Sequence, residues 1–221
     1  MKNSTPLSNK MQTFVLSGAD GTGKSTQAAF LIEHIRETID QNVILVWKRH
    51  MRFFAKLFNL SMRITGRNRR VSHNWGVMGY HDYDFMLGYL YILLSWIDWF
   101  LIAGRMRMGR ILKPSRHLVV YDRHLPDLIA DLILATNKQQ FVFRLFDRQM
   151  KRFVNKNVVL IVSCSPEIAR IRRPDLCDDE LYFERDSCYL SIAKRYNIKC
   201  VSTSDKNAEE SFLEIIDILK L

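Results

Sequence analysis

The chain has 221 residues, a formal net charge of +10 and 48% hydrophobic residues. Those values fit one folded domain, with at most a small lid, and exclude a disordered or low-complexity polypeptide. Cys164, Cys177, Cys188 and Cys200 form no Cys-x-x-Cys pair and have no histidine at zinc-ligand spacing, so they read as free thiols in a reducing compartment. Residues 1–10 are polar and read as a disordered tail rather than a signal peptide, so the expected location is the cytoplasm.

Thr13–Ser17 is apolar and β-prone, which predicts a buried first strand. Residues 24–40 carry Ala28, Leu31, Ile32, Ile35 and Ile39 at helical spacing. Residues 42–47 predict a second strand. Residues 48–80 have no clean period; Phe53, Phe54, Leu57, Phe58 and Leu60 suggest a short helix, and residues 66–70 a loop tip. Phe85–Gly104 is nearly apolar and as long as a membrane span, which needs about 20 residues. Asp98 lies inside it, and the less apolar Asp84, Gly88, Tyr91, Ser95, Asp98 and Arg105 draw one seam along a helix. This predicts a helix buried on three sides with its seam facing a polar cleft.

Residues 117–121 and 158–162 predict two further strands. Residues 124–153 are helical in pattern. Pro166 is well placed at a helix start, ahead of a charged segment. Residues 179–196 predict another helix and Lys199–Ser202 a fifth strand. Asn207 and Glu210 form a capping-box pattern before a last helix. Apolar strands alternating with helices predict an α/β fold, a parallel sheet covered on both faces.

The turn between the first strand and first helix reads Gly18-Ala-Asp20-Gly21-Thr22-Gly23-Lys24-Ser25-Thr26. Gly-x4-Gly-Lys-Ser in strand–turn–helix context is the P-loop. The glycines turn backbone N–H groups inward, and a Cβ there would block a phosphate. The helix N-terminus adds positive partial charge. Lys24 reaches β- and γ-phosphates, and the Ser25 hydroxyl sits on Mg²⁺. ATP and Mg²⁺ are therefore the expected cofactors.

Asp122-Arg123 ends the third strand, on the edge where open α/β sheets bind ligands. Asp122 suits Mg²⁺ or its water shell, and Arg123 suits a phosphate. Arg170, Arg172 and Arg173 precede an acidic group, which predicts a lid over residues 170–180. From Gln41 to His81 there is no acidic residue, while Lys48, Arg49, Arg52, Lys56, Arg63, Arg67, Arg69 and Arg70 all fall there. A second basic run spans Arg105 to Arg116. Such concentration points to an anionic partner. Asp98 needs a partner if buried; Arg123 is one candidate, and a solvent- or interface-facing carboxylate is the alternative.

The P-loop, the strand ending Asp-Arg, the Ser165-Pro166-Glu167 turn into an arginine-rich lid and the late Tyr189 together resemble thymidylate kinase and its relatives, from about Thr13 to Leu221. The resemblance implies a P-loop nucleoside-monophosphate kinase fold with a five-stranded parallel sheet, commonly dimeric. It implies Lys24 and Ser25 on ATP–Mg²⁺, Asp20 near the acceptor's sugar, Asp122 and Arg123 near the acceptor phosphate, and Arg170 and Arg173 as catalytic lid arginines. With Gly21 in the P-loop, the chain resembles members that draw catalytic arginines from the lid. It departs at His124 (usually Tyr), Ser17 (commonly Glu), residues 47–50, which replace an Arg-Glu-Pro-Gly stretch, and Asp98, near where an acceptor-binding Arg is expected.

The expected activity is ATP-dependent phosphoryl transfer to a small, anionic acceptor, with dTMP to dTDP the default. Its alternatives are another metabolite or a membrane-associated precursor as acceptor, and a non-catalytic nucleotide-binding regulator. A homodimer and membrane-surface contact are weighed as partners; nucleic acid is not favoured.

Overall fold

The computed structural model describes residues 13–39, 43–47, 53–73, 76–81, 83–112, 118–179 and 181–221, without the side chains of 39, 47, 69–73, 76–80, 105–112 and 178. Five strands, β1 (Thr13–Ser17), β2 (Val43–Trp47), β5 (Leu118–Asp122), β6 (Val158–Ser163) and β7 (Lys199–Ser202), form one parallel sheet in the order β2-β5-β1-β6-β7. Between β2 and β5 lie α2 (Phe54–Ile64), a hairpin of β3 (Asn68–His73) and β4 (Gly76–His81), and the long α3 (Phe85–Leu112).

Strand side chains alternate between the two faces, and each face has its own core. Phe14 and Leu16 pack with Ala28, Leu31 and Ile35 of α1 (Lys24–Ile39) and Ile215 of α8 (Ala208–Leu219). Val15, Tyr121, Val159 and Ile161 face the other way, toward α4 (Leu125–Thr136), α5 (Gln139–Val154) and α7 (Tyr182–Tyr196). Central strands buried on both faces must be apolar throughout, which is why they read as continuous apolar runs. The helix ends follow local chemistry. Asn207 and Glu210 close a reciprocal capping box at α8, and Asn137 ends α4 at a φ of 51°.

Two expectations fail on the β2–β5 flank. The loop tip expected at residues 66–70 is a strand from Asn68 on: Asn68–His73 pairs antiparallel with Gly76–His81, Asn68 opposite His81. The long helix is also turned the other way. Its seam faces the protein interior, with Tyr91, Ser95 and Asp98 at 1%, 1% and 2% exposure. Its opposite face leaves Met86, Leu90, Leu93, Ile97 and Phe100 exposed. Phe85–Gly104 is long and apolar enough to cross a membrane, and a third of that window is buried in the protein.

Candidate active site

The P-loop leaves β1 between the C-terminal ends of β5 and β6, where parallel sheets bind ligands. Its glycines have different jobs. At Gly18, φ is +152° and an added Cβ would meet the Val162 carbonyl oxygen at 2.0 Å. Gly18 is therefore dictated by the neighbouring strand, not by a phosphate. At Gly21 a Cβ would strike Leu176 and Ala169. Gly23 alone of the three faces open space: φ is +85°, and the nearest atom is an Arg172 nitrogen 4.0 Å away.

Lys24 opens α1 and is buried, with its ammonium donating to the Ala19 carbonyl of its own loop. Burial, then the Arg123 charge, hold its pKa below the ordinary lysine value. Thr22 Oγ1 also donates to Ala19 O, at 2.9 Å, so two side chains tie the loop into one turn. Thr26 is exposed at the mouth.

Ser25 Oγ donates to Asp122 Oδ2 at 2.7 Å, which brings the two proposed metal-facing residues together. The other Asp122 oxygen is buried and has no hydrogen-bond partner among the described residues. A buried carboxylate oxygen needs a partner. An Mg²⁺ ion with its water shell, held by Ser25 and Asp122, fits that need and the hard oxygen donors present. No cluster of three acidic, His or Cys side chains suited to a metal occurs among the described residues.

Arg123 stands at a φ of +78°, a region non-glycine residues seldom occupy. Its N–H donates to Leu16 O at 3.1 Å, which ties this strained residue to β1. Its guanidinium pairs with Asp20 of the P-loop and lies 3.7 Å from Asp127. Burial opposes the charge on Arg123, but Asp20 and Asp127 outweigh it and raise its pKa. Asp20 follows the same balance: burial raises its pKa, while Arg123, Lys24, Arg185 and Arg173 bring it below the usual carboxylate value.

Asp127 is the hub that sequence reasoning missed. It is buried and accepts from Ser17 Oγ (2.7 Å), the His124 N–H (2.8 Å) and Tyr189 OH (2.7 Å). Burial pushes its pKa up. The only sequence signal was its position at the third residue of α4, the capping-box place. Ser17 and Tyr189 therefore act together here, through one carboxylate. His124 faces inward, its ring stacked on Phe153 with centroids 4.5 Å apart.

The described part of the segment expected as a lid, residues 170–180, consists of the end of α6 (Pro166–Arg172) and a 3₁₀ turn (Pro174–Asp178). Arg170 lies over the Phe183 ring at 5.0 Å, and Arg173 pairs with Asp175. Arg172 lies beside Gly23, and the Arg173 charge also acts on Asp20 of the P-loop. Arg172 donates to Thr203 O at 2.7 Å and Thr203 Oγ1 at 2.8 Å. Thr203 Oγ1 in turn donates to the Thr22 carbonyl at 3.1 Å. A cavity of about 210 Å³ opens here, bordered by Gly23, Thr26, Gln27, Arg172, Thr203 and Asn207.

Asp98 corrects the sequence expectation. Its carboxylate accepts from the Phe54 and Ala55 N–H groups, each at 2.9 Å, and so caps α2 from a neighbouring helix. It does not meet Arg123, which pairs with Asp20 and Asp127. Phe53 at the N-cap position has no side chain able to do this, and orphan N–H groups at a buried helix start need an acceptor. The basic residues 48, 49 and 52, and the side chains of 69, 70 and 105–116, lie outside the described residues.

No protein-family model and no curated protein matches the chain. Among solved structures, thymidylate kinase from Ehrlichia chaffeensis is similar, with a TM-score of 0.53 at 20% identity, covering 95% of this chain and 98% of that one. The chain shares the fold of that thymidylate kinase. At such identity the likeness is one of architecture: the five-stranded parallel sheet and flanking helices expected from the sequence are present over nearly the full length of both proteins.

Proposed function

We propose that the protein is an ATP-dependent, Mg²⁺-requiring kinase of a small anionic acceptor, with dTMP the first to test. The observation that carries this reading is the meeting of Lys24, Ser25 and Asp122 at the end of β1 and β5, with an Asp122 oxygen left for a cation. Mg²⁺ would bridge phosphate oxygens and offset charge in phosphoryl transfer. The α1 N-terminus and Lys24 draw the donor's phosphates into the turn. The cavity beside Gly23 and Arg172 is open for the rest of the donor. Asp20 and Arg123 face the acceptor, and the strained Arg123 backbone keeps its guanidinium aimed. Arg170 and Arg173 remain the candidates for the transferring group, and Arg172 joins them on its position. Catalysis in this scheme is positioning and charge stabilisation. The reading goes with a cytoplasmic location, where ATP is available.

An ADP-release assay across nucleoside monophosphates and small hydroxylated metabolites tests it. Turnover with one class of acceptor is the expected result. ATP binding without turnover on any acceptor would favour a nucleotide-binding regulator.

We further propose a homodimer through α3. Met86, Leu90, Leu93, Ile97 and Phe100 are exposed at alternating spacings of four and three, the pattern with which one helix packs along another. Leu93→Glu with Ile97→Glu should turn a dimer into a folded monomer in sedimentation velocity. A monomeric wild type that floats with vesicles would assign this face to a membrane surface instead.

A further inference from the structure

We infer that the outer face of α2 docks on a membrane surface rich in anionic lipid, a contact that the phosphotransferase reading neither requires nor supplies.

α2 has two apolar faces. The inner one holds Ala55, Phe58 and Met62, with Phe58 stacked on Tyr91 of α3 at 5.7 Å between ring centroids. Asp98 caps the start of the helix from the same side. On the outer face Phe53, Leu57, Leu60 and Ile64 stand at i, i+4, i+7 and i+11, which draws one stripe along the helix. They are 64%, 54%, 50% and 81% exposed. A surface helix needs one apolar stripe to join the core, and the inner face already supplies it. The outer stripe has no such use, and contiguous exposed apolar residues mark an interaction surface.

Charge decides what covers it. Exposed Lys56 and Arg63 lie seven residues apart, so they run in line beside the stripe. Arg67 pairs with Asp84 and is not counted with them. Between Gln41 and His81 the chain has no acidic residue, while Lys48, Arg49 and Arg52 precede the helix in sequence and Arg69 and Arg70 follow it. Apolar side chains bordered by cations are the pattern of an interfacial helix. The apolar chains enter the boundary between headgroups and acyl chains, and the cations meet anionic headgroups. A second copy of this face would set Lys56 and Arg63 against themselves, with no acidic residue in the segment to offset them. Lysine is also depleted from protein–protein interfaces. Leu57, Leu60 and Ile64 offer a nucleic acid no ring on which to stack a base.

The exposed apolar face of α3 differs in kind. From Phe85 to Gly104 the sequence carries no Lys or Arg at all, so that face brings no cation to an anionic lipid. The two outward faces are thus uncharged on α3 and bordered by cations on α2, which separates a surface for another helix from a surface for a membrane.

Flotation of the full chain with vesicles of phosphatidylcholine, and of phosphatidylcholine mixed equally with phosphatidylglycerol, tests this. Sedimentation velocity and thermal midpoint are measured on the same samples. Wild type should float with the anionic vesicles and not with the neutral ones, and high salt should weaken the binding. Leu57→Glu with Ile64→Glu should abolish flotation, whereas Leu93→Glu with Ile97→Glu should leave it. Lys56→Gln with Arg63→Gln keeps the apolar stripe and should weaken binding to anionic vesicles about 30-fold. Wild type that stays off anionic vesicles overturns the inference, as does equal flotation with neutral ones. Unchanged flotation of folded Leu57→Glu with Ile64→Glu overturns it. If that variant does not fold, unchanged binding by Lys56→Gln with Arg63→Gln overturns it. Flotation lost only in the α3 variant overturns it in favour of α3. A wild-type dimer that Leu57→Glu with Ile64→Glu turns into a monomer assigns the face to a second copy and overturns it too. The kinase reading stands apart from all of these, since ADP release tests it.

Discussion

The two sides of β1 are built on different terms. On the side proposed for the donor, Thr22 and Lys24 close the P-loop on itself through the Ala19 carbonyl, and β6, Thr203 and Tyr182 then fasten the closed turn at Gly18, Thr22 and Asp20. On the side proposed for the acceptor, α2, the β3–β4 hairpin and α3 are held only by contacts between residues of different elements. Asp98 caps α2 across 43 and 44 positions, Tyr83 donates to Asn59, and Arg67 pairs with Asp84 at 2.6 Å. A phosphate-binding turn is nearly the same problem in every chain that solves it, because the triphosphate does not vary. An acceptor site must be shaped to one molecule, and residues recruited from several elements do that. Substitutions on the two sides should therefore fail differently, in chemistry on the donor side and in stability on the acceptor side.

The largest effect is expected at Lys24. Lys24→Ala should lower ATP turnover about 10³-fold, or about 4 kcal/mol of transition-state stabilisation. The thermal midpoint should barely move, since the residue lost is a buried cation with one loop contact. A large drop in midpoint with turnover intact would make Lys24 a structural residue and erase the contrast.

Asp122→Asn should follow, with turnover reduced about 100-fold, about 2.7 kcal/mol. The Mg²⁺ concentration for half-maximal activity should rise at the same time. The amide keeps an acceptor for Ser25 but loses the charge that a divalent ion needs. An unchanged Mg²⁺ dependence would move the metal away from β5.

Asp98→Ala tests the other side. Removing both acceptors from the start of α2 should destabilise the protein by about 2 kcal/mol in urea unfolding. MgATP affinity should remain near wild type. Asp98→Asn keeps one strong acceptor and should lose less. Lost MgATP binding with unchanged stability would tie Asp98 to the donor site.

The smallest effect is one of pH. Burial raises the pKa of Asp20, but Arg123, Lys24, Arg185 and Arg173 lower it further. A carboxylate depressed in the folded state adds stability above its unfolded pKa of about 3.9 and loses it as pH falls through the folded value. Wild type should accordingly lose slightly more stability than Asp20→Asn as pH drops below about 4. Parallel acid-unfolding curves would show that the Asp20–Arg123 pair has no net coupling to folding. Asp20 is 40% exposed on its side chain, so solvent screening keeps the effect small.

The five sheet strands and the helices that cover them were legible in the sequence because each depends on a local signal. Apolar runs, helical spacing, Pro166 and the Asn207–Glu210 box act within a few residues of themselves, and the P-loop needs only its own glycines between a strand and a helix. The hairpin was not legible, because Asn-Arg-Arg-Val-Ser-His beside Gly-Val-Met-Gly-Tyr-His has no clear apolar alternation. Three things belong to the tertiary structure alone. The rotation of α3 is one: a helix apolar nearly all round carries almost no directional signal, so its packing partners decide which side is outward. The partner of Asp98 is another, since a carboxylate in an apolar stretch says that it needs donors but not which. The third is the choice among Arg170, Arg172 and Arg173, neighbours in sequence that diverge onto Phe183, Thr203 and Asp175. In each case the sequence states a need, and only the surrounding elements determine the atom that meets it.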